Sequence, residues 1–347
     1  MSANGSVRPS RRATAENFEG QSASYENHTA QTTLGRLRLK LLGIDSALTS
    51  FEARGFSGGT PAARTMLERH ATAFVDGFNI AIAAREENLA ARLRTVIAAD
   101  RGFAYEGSAM ALALLDSLAP PGGSRLARLL ESHGRPHRYM VHVGAGWALA
   151  AMRRPPGMVM RSFDPFIRWL AVDGYGFHEG FFHTRRSFAG RPPLRRPRGY
   201  EQRAFDQGLG RSLWFVAAAD VDAAAEAVGR FEPWRRADLW SGLGLAAAYT
   251  TVAPPEDLDR LGVLAGAHAP HVVQGVAFAV SARLTAGNVV AHTRVAAELL
   301  CGRAVEDVAD LVNGARDDLW ADRTGHGYEE WRTRIRERLA ARKGAVA

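Results

Sequence analysis

Two short stretches of this sequence place ionisable side chains among glycines and large aromatic residues. GYGFHEGFF holds His178 and Glu179, and FDQGLGRSLWF holds Asp206 and Arg211. A histidine paired with a carboxylate suits proton transfer, because imidazole titrates near neutral pH and a carboxylate can orient it. We therefore expect His178 with Glu179, or His142 with Asp206, to act as the catalytic base. Arg211 would stabilise developing negative charge.

A second set of polar and aromatic residues lies close to these and to similar glycines, and we predict that these residues bind the substrate. The set is Tyr105, Glu106, Gln207, Trp240 and His183. The same side chains could instead join neighbouring helices by buried hydrogen bonds, with Arg211 bridging to Asp206 or Glu106. The sequence leaves the catalytic and the structural interpretation open.

Glycines in similar surroundings recur along the chain at intervals of 28 to 37 residues. They are Gly77, Gly107, Gly144, Gly180, Gly208, Gly242 and Gly275. Such a period is typical of helical-hairpin repeats, in which each unit stacks on its neighbours. Glycine inside a helix costs ~1 kcal/mol relative to alanine, so we expect these helices to pack too closely for a side chain. The alternative is a chance alignment in a chain rich in glycine and alanine.

Apolar residues recur at helical spacing from residue 34 onward, and apolar and polar residues rarely alternate over the length of a strand. The pattern predicts an all-α protein of helical hairpins, stacked into a solenoid-like or closed α/α bundle with a central groove. The repeat domain is predicted over residues 34–340, between a disordered N-terminal tail at 1–33 and a C-terminal tail at 341–347.

The composition limits the cellular compartments and the partners that are compatible with this sequence. The chain has 347 residues, 46% of them hydrophobic, and a single cysteine, Cys301, which excludes an internal disulfide. It has no secretory signal pattern and no apolar run long enough to span a membrane, so we expect a cytoplasmic protein. The net charge of +8 permits an acidic partner. The arginine- and proline-rich segment 185–200 is predicted to be a loop, either merely solvated or docking such a partner.

Several cofactor and metal motifs are not matched. The histidines of HEGFFH are five residues apart, which places them on different faces of a continuous helix, so we predict no metal site. GAGWALA and GLGRSL do not follow strands, which argues against dinucleotide binding. GGTPAART lacks the lysine of a phosphate-binding loop. We predict no cofactor and, in the absence of a recognised motif, no nucleic-acid partner.

Five blocks of sequence resemble a known family, in order, between residues 35 and 340. The blocks are RGFAYEGSAMALALLD, YMVHVGAGWALA, DGYGFHEGFF, AFDQGLGRSLWFV and RRADLWSGLGLAAAY. They are similar to domain of unknown function 1702, an actinobacterial family whose members are described as enediyne biosynthesis proteins. The resemblance implies a role in secondary metabolism and supplies no mechanism.

From these observations we expect a metal-independent cyclase or lyase of natural-product biosynthesis. Its substrate would be a polyketide- or amino-acid-derived intermediate, free or bound to a carrier protein. The resemblance also suggests an alternative, an aziridine-forming subunit in which an amine displaces sulfate. A repeat fold without a complete catalytic signature also suits a non-catalytic scaffold or a partner subunit that works with a related chain.

Overall fold

The computed structural model describes residues 33–119, 124–155, 163–189, 197–321 and 324–343. Over these residues every regular element is a helix and there is no strand, which confirms the all-α prediction. The α-helices in chain order are α1 Thr33–Leu42, α2 Phe51–Arg54, α3 Pro61–Ala83, α4 Glu86–Arg94, α5 Arg101–Leu118, α6 Arg125–Glu131, α7 Arg138–Ala151, α8 Trp169–Phe182, α9 Thr184–Phe188, α10 Tyr200–Val216, α11 Val221–Gly229, α12 Pro233–Tyr249, α13 Pro255–Leu264, α14 Ala269–Thr285, α15 Ala291–Ala296, α16 Val305–Gly314 and α17 His326–Lys343.

Local sequence sets where several helices begin. Thr60 caps α3 by accepting a hydrogen bond from the backbone N–H of Ala63, and Pro61 follows at the first helical position. Asp220 caps α11 by accepting from the N–H of Ala223. A side chain that accepts from an early N–H satisfies a donor that the helix itself leaves free.

Seven of the longer helices contact one another in chain order, and shorter helices lie between most of them. The contacting series is α3, α5, α7, α8, α10, α12 and α14. Glycine allows this close packing. A methyl group added at Gly107 would overlap the carbonyl oxygen of Phe74 on α3, and one added at Gly275 would overlap that of Ser241 on α12.

Four successive helices carry a Gly-x-Gly motif that contacts both neighbours. The motifs are Gly144–Gly146 on α7, Gly174–Gly176 on α8, Gly208–Gly210 on α10 and Gly242–Gly244 on α12. The first glycine of each pair faces a backbone carbonyl of the preceding helix in the series, and the second faces one of the following helix. The prediction that glycine permits close helix packing is therefore confirmed.

The glycine that the sequence analysis assigned to the repeat on α8, Gly180, is the wrong one. Gly174, and not Gly180, occupies the position equivalent to Gly208, because Gly174 lies against the Val143 carbonyl of α7 as Gly208 lies against the Asp173 carbonyl of α8. Gly180 instead faces the side chain of Ser212. The residue before the equivalent glycine on α8 is consequently Asp173 and not Glu179.

The predicted boundaries and the basic segment are only partly described. Thr33 begins α1 and α17 extends to Lys343, while the remainder of both predicted tails lies outside the described residues. Arg185 and Arg186 belong to α9 and Tyr200 begins α10, so the ends of the predicted loop are helical; residues 190–196 are not described.

Within the described ranges, no single helix is both long and apolar enough to cross a membrane. The pair Pro255–Leu264 and Gly266–Thr285, bent by 109°, meets that requirement of length and composition only when the two are taken together.

Candidate functional site

A cavity of about 220 Å³ lies among α3, α5, α7, α8 and α10. Its wall is mostly aromatic, with rings contributed by Phe74, Phe103, Trp147, Phe177, Phe181 and Phe215. Small-molecule sites are commonly concave and apolar, with a few polar groups that fix the orientation of the ligand. The polar and charged side chains that line this cavity include His70, Glu106 and Arg211.

Glu106 is a predicted site residue, and the structure places it in the cavity wall. Glu106 lies on α5 and is 3% exposed, and burial raises the pKa of its carboxyl to about 7. The guanidinium of Arg211 counteracts part of this increase in pKa. Its Nη2 lies 4.0 Å from Oε1 of Glu106, which is too far for a hydrogen bond. Since a carboxyl with a pKa near 7 exists in both protonation states at neutral pH, Glu106 can give or take a proton there.

Arg211 reaches from α10 to face Glu106 and is held by Asp173 of α8. Its Nη1 donates to Oδ1 of Asp173, and the guanidinium lies over the ring of Phe177 with 5.1 Å to the ring centre. Burial would lower the pKa of Arg211, but the carboxylates of Asp173 and Glu106 outweigh it and raise the pKa. Arg211 therefore stays charged, and its buried Nε has no hydrogen-bond partner among the described residues.

Asp173 begins a series of hydrogen bonds that crosses successive helices away from the cavity. The series continues through Gln207, Ser241, Gln274 and Arg332. Gln207 Nε2 donates to Asp173 Oδ2 at 2.9 Å, and the Ser241 hydroxyl lies between the amide oxygens of Gln207 and Gln274, at 3.2 and 3.1 Å. Arg332 Nε donates to the same Gln274 oxygen at 3.1 Å. We call these five residues the polar ladder.

The sequence analysis missed Asp173, although a signal for it was present. Asp173, Gln207, Ser241 and Gln274 each stand directly before a glycine that packs on the preceding helix of the series. A search for a polar residue followed by Gly-x-Gly finds DGYG, QGLG, SGLG and TGHG, and the first three recur at an even spacing of 34 residues. Gln207, predicted to bind substrate, is a member of this ladder and not of the cavity wall.

His70 is the other ionisable residue that the sequence analysis missed. Its Nδ1 lies 3.0 Å from Oδ1 of Asp100, and its Nε2 lies 2.5 Å from the carbonyl oxygen of Thr250. Its ring also stacks on Phe103, with 4.7 Å between the ring centres. Because both nitrogens already have protein partners, His70 holds α3 against the end of α12 and is less available to a ligand than Glu106.

The end of α8 gathers His178, Glu179 and His183, as the sequence analysis expected for the first two. Oε1 of Glu179 lies 3.8 Å from Nδ1 of His178 and 3.9 Å from Nε2 of His183, and Oε2 accepts from Arg186. Burial tends to raise the pKa of Glu179, but His178, Arg186 and His183 together hold it below the usual value. One ligand atom from each of the two histidines and Glu179 lies within 4.8 Å of the others, so these three residues could hold a metal ion.

Asp206 does not join the other predicted catalytic residues. Its carboxylate accepts hydrogen bonds from Arg235 of α12 and, at 3.0 Å, from Gln202 one turn earlier on α10. It forms no ion pair with Arg211, which pairs with Asp173 instead. Burial raises the pKa of Asp206 to about 6, and Arg235 limits the rise. The suggested bridge from Arg211 to Asp206 is therefore wrong, because Arg211 pairs with Asp173 and Glu106.

His142 and Tyr105 also lie apart from the cavity wall. His142 Nδ1 donates to the Arg138 carbonyl at 2.7 Å and the ring packs on Phe163, so the suggested pair with Asp206 does not form. The hydroxyl of Tyr105 is 3.0 Å from Nδ1 of His133. A one-residue step turns a helical side chain by ~100°, which sends Tyr105 away from the cavity that its neighbour faces.

Trp240 is 5% exposed on α12 and is not part of the aromatic cavity wall. The ten predicted residues are thus divided among separate clusters. Glu106 and Arg211 share the cavity, and His178, Glu179 and His183 share the end of α8. The remaining five, Asp206, His142, Tyr105, Gln207 and Trp240, lie elsewhere in the fold.

Neither a search of curated proteins nor a search of solved structures finds a match to this chain. The sequence model of one family matches residues 33–339, which is most of the chain and includes the helices that form the cavity and the polar ladder. The chain therefore belongs to the family described as proteins of unknown function, DUF1702.

Proposed function

We propose that this protein is a cytoplasmic enzyme of secondary metabolism that binds the reacting part of a polyketide- or amino-acid-derived intermediate in the aromatic cavity. The reaction is a metal-independent cyclisation or elimination, on an intermediate that is free or carried by another protein. The observation that supports it best is Glu106, whose carboxyl titrates at about pH 7 beside Arg211 in an apolar enclosure.

The size and the wall of the cavity favour a compact apolar group. An apolar cavity of ~150 Å³ holds benzene, so about 220 Å³ accommodates a somewhat larger ring or chain. The rings of Phe74, Trp147 and Phe177 would bury that group and exclude water. We propose that the stacked helices enclose the cavity as the central groove of a helical-repeat bundle.

Glu106 and Arg211 take different parts in the reaction. In its ionised form Glu106 accepts the proton from the carbon or heteroatom of the substrate that forms the new bond. In its protonated form it returns that proton to the leaving group or to the new product. Arg211 stabilises the negative charge that develops on the substrate, because its charge is fixed in an apolar surrounding by Asp173.

Displacement of sulfate by an amine within one molecule is a reaction that the same two groups suit. The new N–C bond forms as the C–O bond to sulfate breaks. Glu106 takes the proton from nitrogen, and the charge of Arg211 lowers the energy of the departing sulfate. The fixed positive charge at the cavity wall is the observation that favours this second candidate.

The test begins with deletion of the gene in the organism that carries it and isolation of the intermediate that accumulates. The purified protein is expected to convert this compound without added cofactor. Glu106→Gln should lower kcat by about 100- to 10,000-fold, the usual contribution of a general acid or base. The melting temperature reports whether the variant is still folded.

Asp206→Asn is the matched control, because Asp206 is a buried carboxylate outside the cavity. It should leave kcat within a few-fold of the wild-type value once stability is matched by temperature. If the folded Glu106→Gln protein turns over as fast as wild type, proton transfer by Glu106 is excluded. If wild type converts nothing, alone or with a related chain, the non-catalytic scaffold is favoured.

A further inference from the structure

The C-terminal end of α8 brings three metal-ligating side chains together outside the set of residues that line the aromatic cavity. They are His178, Glu179 and His183. Glu179 Oε1 is the central atom, 3.8 Å from Nδ1 of His178 and 3.9 Å from Nε2 of His183. Two imidazoles and one carboxylate form a common ligand set for a divalent transition metal.

The sequence argument against a metal here assumed one continuous helix. Five residues along an α-helix turn the side chain by ~500°, which would separate the two histidines. However, α8 ends at Phe182, and His183 leaves the helical conformation at φ −120° and ψ 39°. Glu179 and His183 are four residues apart and therefore share one side of the helix, and the ring centres of the two histidines lie 6.0 Å apart.

His178 carries an unsatisfied nitrogen that is directed at Glu179. The side chain is 9% exposed and its ring packs against Trp147 and Phe182. Its Nδ1 is buried without a hydrogen-bond partner, since 3.8 Å to the Glu179 oxygen is too long for one. A buried polar atom without a partner destabilises the fold, and an ion bound at this nitrogen would satisfy it.

We propose that Nδ1 of His178, Oε1 of Glu179 and Nε2 of His183 bind one divalent ion of the zinc type. Zinc bonds to nitrogen and oxygen of ~2.0–2.2 Å place tetrahedral ligand atoms ~3.3–3.6 Å apart. The two nitrogen–oxygen distances, 3.8 and 3.9 Å, are close to this spacing, and the three ligand atoms lie within 4.8 Å of one another, so a rotation of the half-exposed His183 ring would complete the site. Three protein ligands leave a fourth position for water or another small ligand.

The surroundings of the three ligands also suit an ion. Arg186 donates to Oε2 of Glu179, the oxygen that is not shared with the histidines, and so orients the carboxylate without occupying Oε1. Hydrogen-bonded partners of this kind commonly hold metal-ligating carboxylates in place. The side chain of His183 is 45% exposed, which gives the ion a route in from solvent.

The ion would fix the part of α8 that forms one wall of the cavity. Phe181 and Phe182 lie between the proposed ligands along the chain, and both line the cavity. The proposed metal site and the proposed acid/base pair use different residues, so each can fail without the other.

The experiment is a zinc titration of the full-length, tag-free protein after treatment with a chelator. Competition with a chromophoric chelator of known affinity gives the stoichiometry and the Kd. We expect one equivalent of zinc per chain, bound with a Kd below a micromolar. His178→Ala and His183→Ala should each weaken binding at least tenfold. His326→Ala, which removes an exposed histidine at the start of α17, is the control and should bind as wild type.

Cobalt(II) provides a readout that a purely structural role of the histidines would not produce. Cobalt in a nitrogen and oxygen site of low coordination number absorbs visible light, and this absorption should saturate at one equivalent and vanish in His183→Ala. Because His183 is half-exposed, this variant is expected to fold even if His178→Ala does not. The proposal is overturned if wild type binds no stoichiometric zinc, or if a folded His183→Ala protein binds it unchanged.

Discussion

The polar residues on the two sides of Arg211 are similar in type and differ in their surroundings. On one side, Asp173 and Gln207 belong to the polar ladder, where side chains of successive helices are hydrogen-bonded to one another. On the other side, Glu106 lies 4.0 Å from Arg211 and faces a cavity of about 220 Å³. The ladder residues hold successive helices together, whereas Glu106 faces open space among aromatic rings and is available to a ligand.

Glycine packing explains how such different surroundings lie so close together. The Gly-x-Gly motifs bring α7, α8, α10 and α12 into backbone contact, so that ladder side chains of successive helices reach one another directly. Helices α3 and α5 pack equally closely, since a methyl group added at Gly77 or Gly107 would overlap a backbone carbonyl of the other helix, so the cavity is bounded by large rings and not by a wider helix spacing.

The largest expected effect on stability is that of removing the partner of Arg211. Asp173→Ala leaves a buried guanidinium without the carboxylate that holds it, which should lower the free energy of unfolding by about 3–5 kcal/mol. Chemical denaturation at pH 7 measures this loss. The control is Asp222→Ala, which breaks an exposed pair with Arg260 and should leave the stability almost unchanged. Equal losses at the two positions would show that Asp173 has no special role.

The next effect is the pH dependence that Glu106 should impose. Its pKa is raised from 4.5 to about 7 on folding, so its protonated form stabilises the protein fully below pH 4.5. That contribution is lost as the pH rises through 7. Relative to Glu106→Gln, wild type should therefore lose up to about 3 kcal/mol between pH 4.5 and 8. Unfolding free energies of both proteins over that range measure the difference.

Glu226→Gln serves as the control for this pH dependence, because Glu226 forms an exposed pair with Arg230. Its unfolding free energy should follow that of wild type across the range. Parallel curves for wild type and Glu106→Gln would mean that Glu106 is well solvated and would remove the distinction between the cavity and the ladder.

A smaller difference in stability is expected between substitutions that add atoms in the cavity and in the packed core. Ala71→Leu adds carbon atoms that the cavity can receive, so it should change the free energy of unfolding by less than about 1 kcal/mol. Ala109→Leu adds the same atoms at a fully buried position of α5 and should cost about 1–3 kcal/mol. Thermal or chemical denaturation of the pair makes the comparison. A cost at Ala71 equal to that at Ala109 would argue that the cavity is filled.

The smallest effect is expected outside both regions. Tyr105→Phe removes a hydrogen bond to His133 and should cost about 1 kcal/mol of stability. Since Tyr105 does not line the cavity, the variant should bind and turn over the isolated intermediate like wild type. A loss of affinity of tenfold or more would restore Tyr105 as a substrate-binding residue.

The sequence predicted the helical class and the reason for the glycines, because helical periodicity and glycine packing are local properties. It did not predict which side chains meet. Tyr105 and Glu106 are adjacent in sequence, yet one contacts His133 and the other faces the cavity. The partner of Arg211 lies on another helix, 38 residues away, and depends on how α8 and α10 align.

The end of α8 was also not predicted from the sequence. His183 ends α8 with a non-helical backbone, although neither glycine nor proline occurs at that point in the sequence. The choice of Gly180 over Gly174 had a related cause. Both glycines follow an acidic residue, but only Gly174 begins a Gly-x-Gly motif and lies against the Val143 carbonyl of α7.

The most direct test of the central claim is a titration of the Glu106 carboxyl itself. Carbon-13 NMR of the protein labelled at glutamate side chains, with Glu106→Gln to assign the signal, follows its protonation as the pH is varied. We predict a midpoint at about pH 7, as expected for a carboxyl buried beside Arg211 in the aromatic cavity. A midpoint near 4.5 would contradict the proposal that Glu106 exchanges a proton with a ligand there.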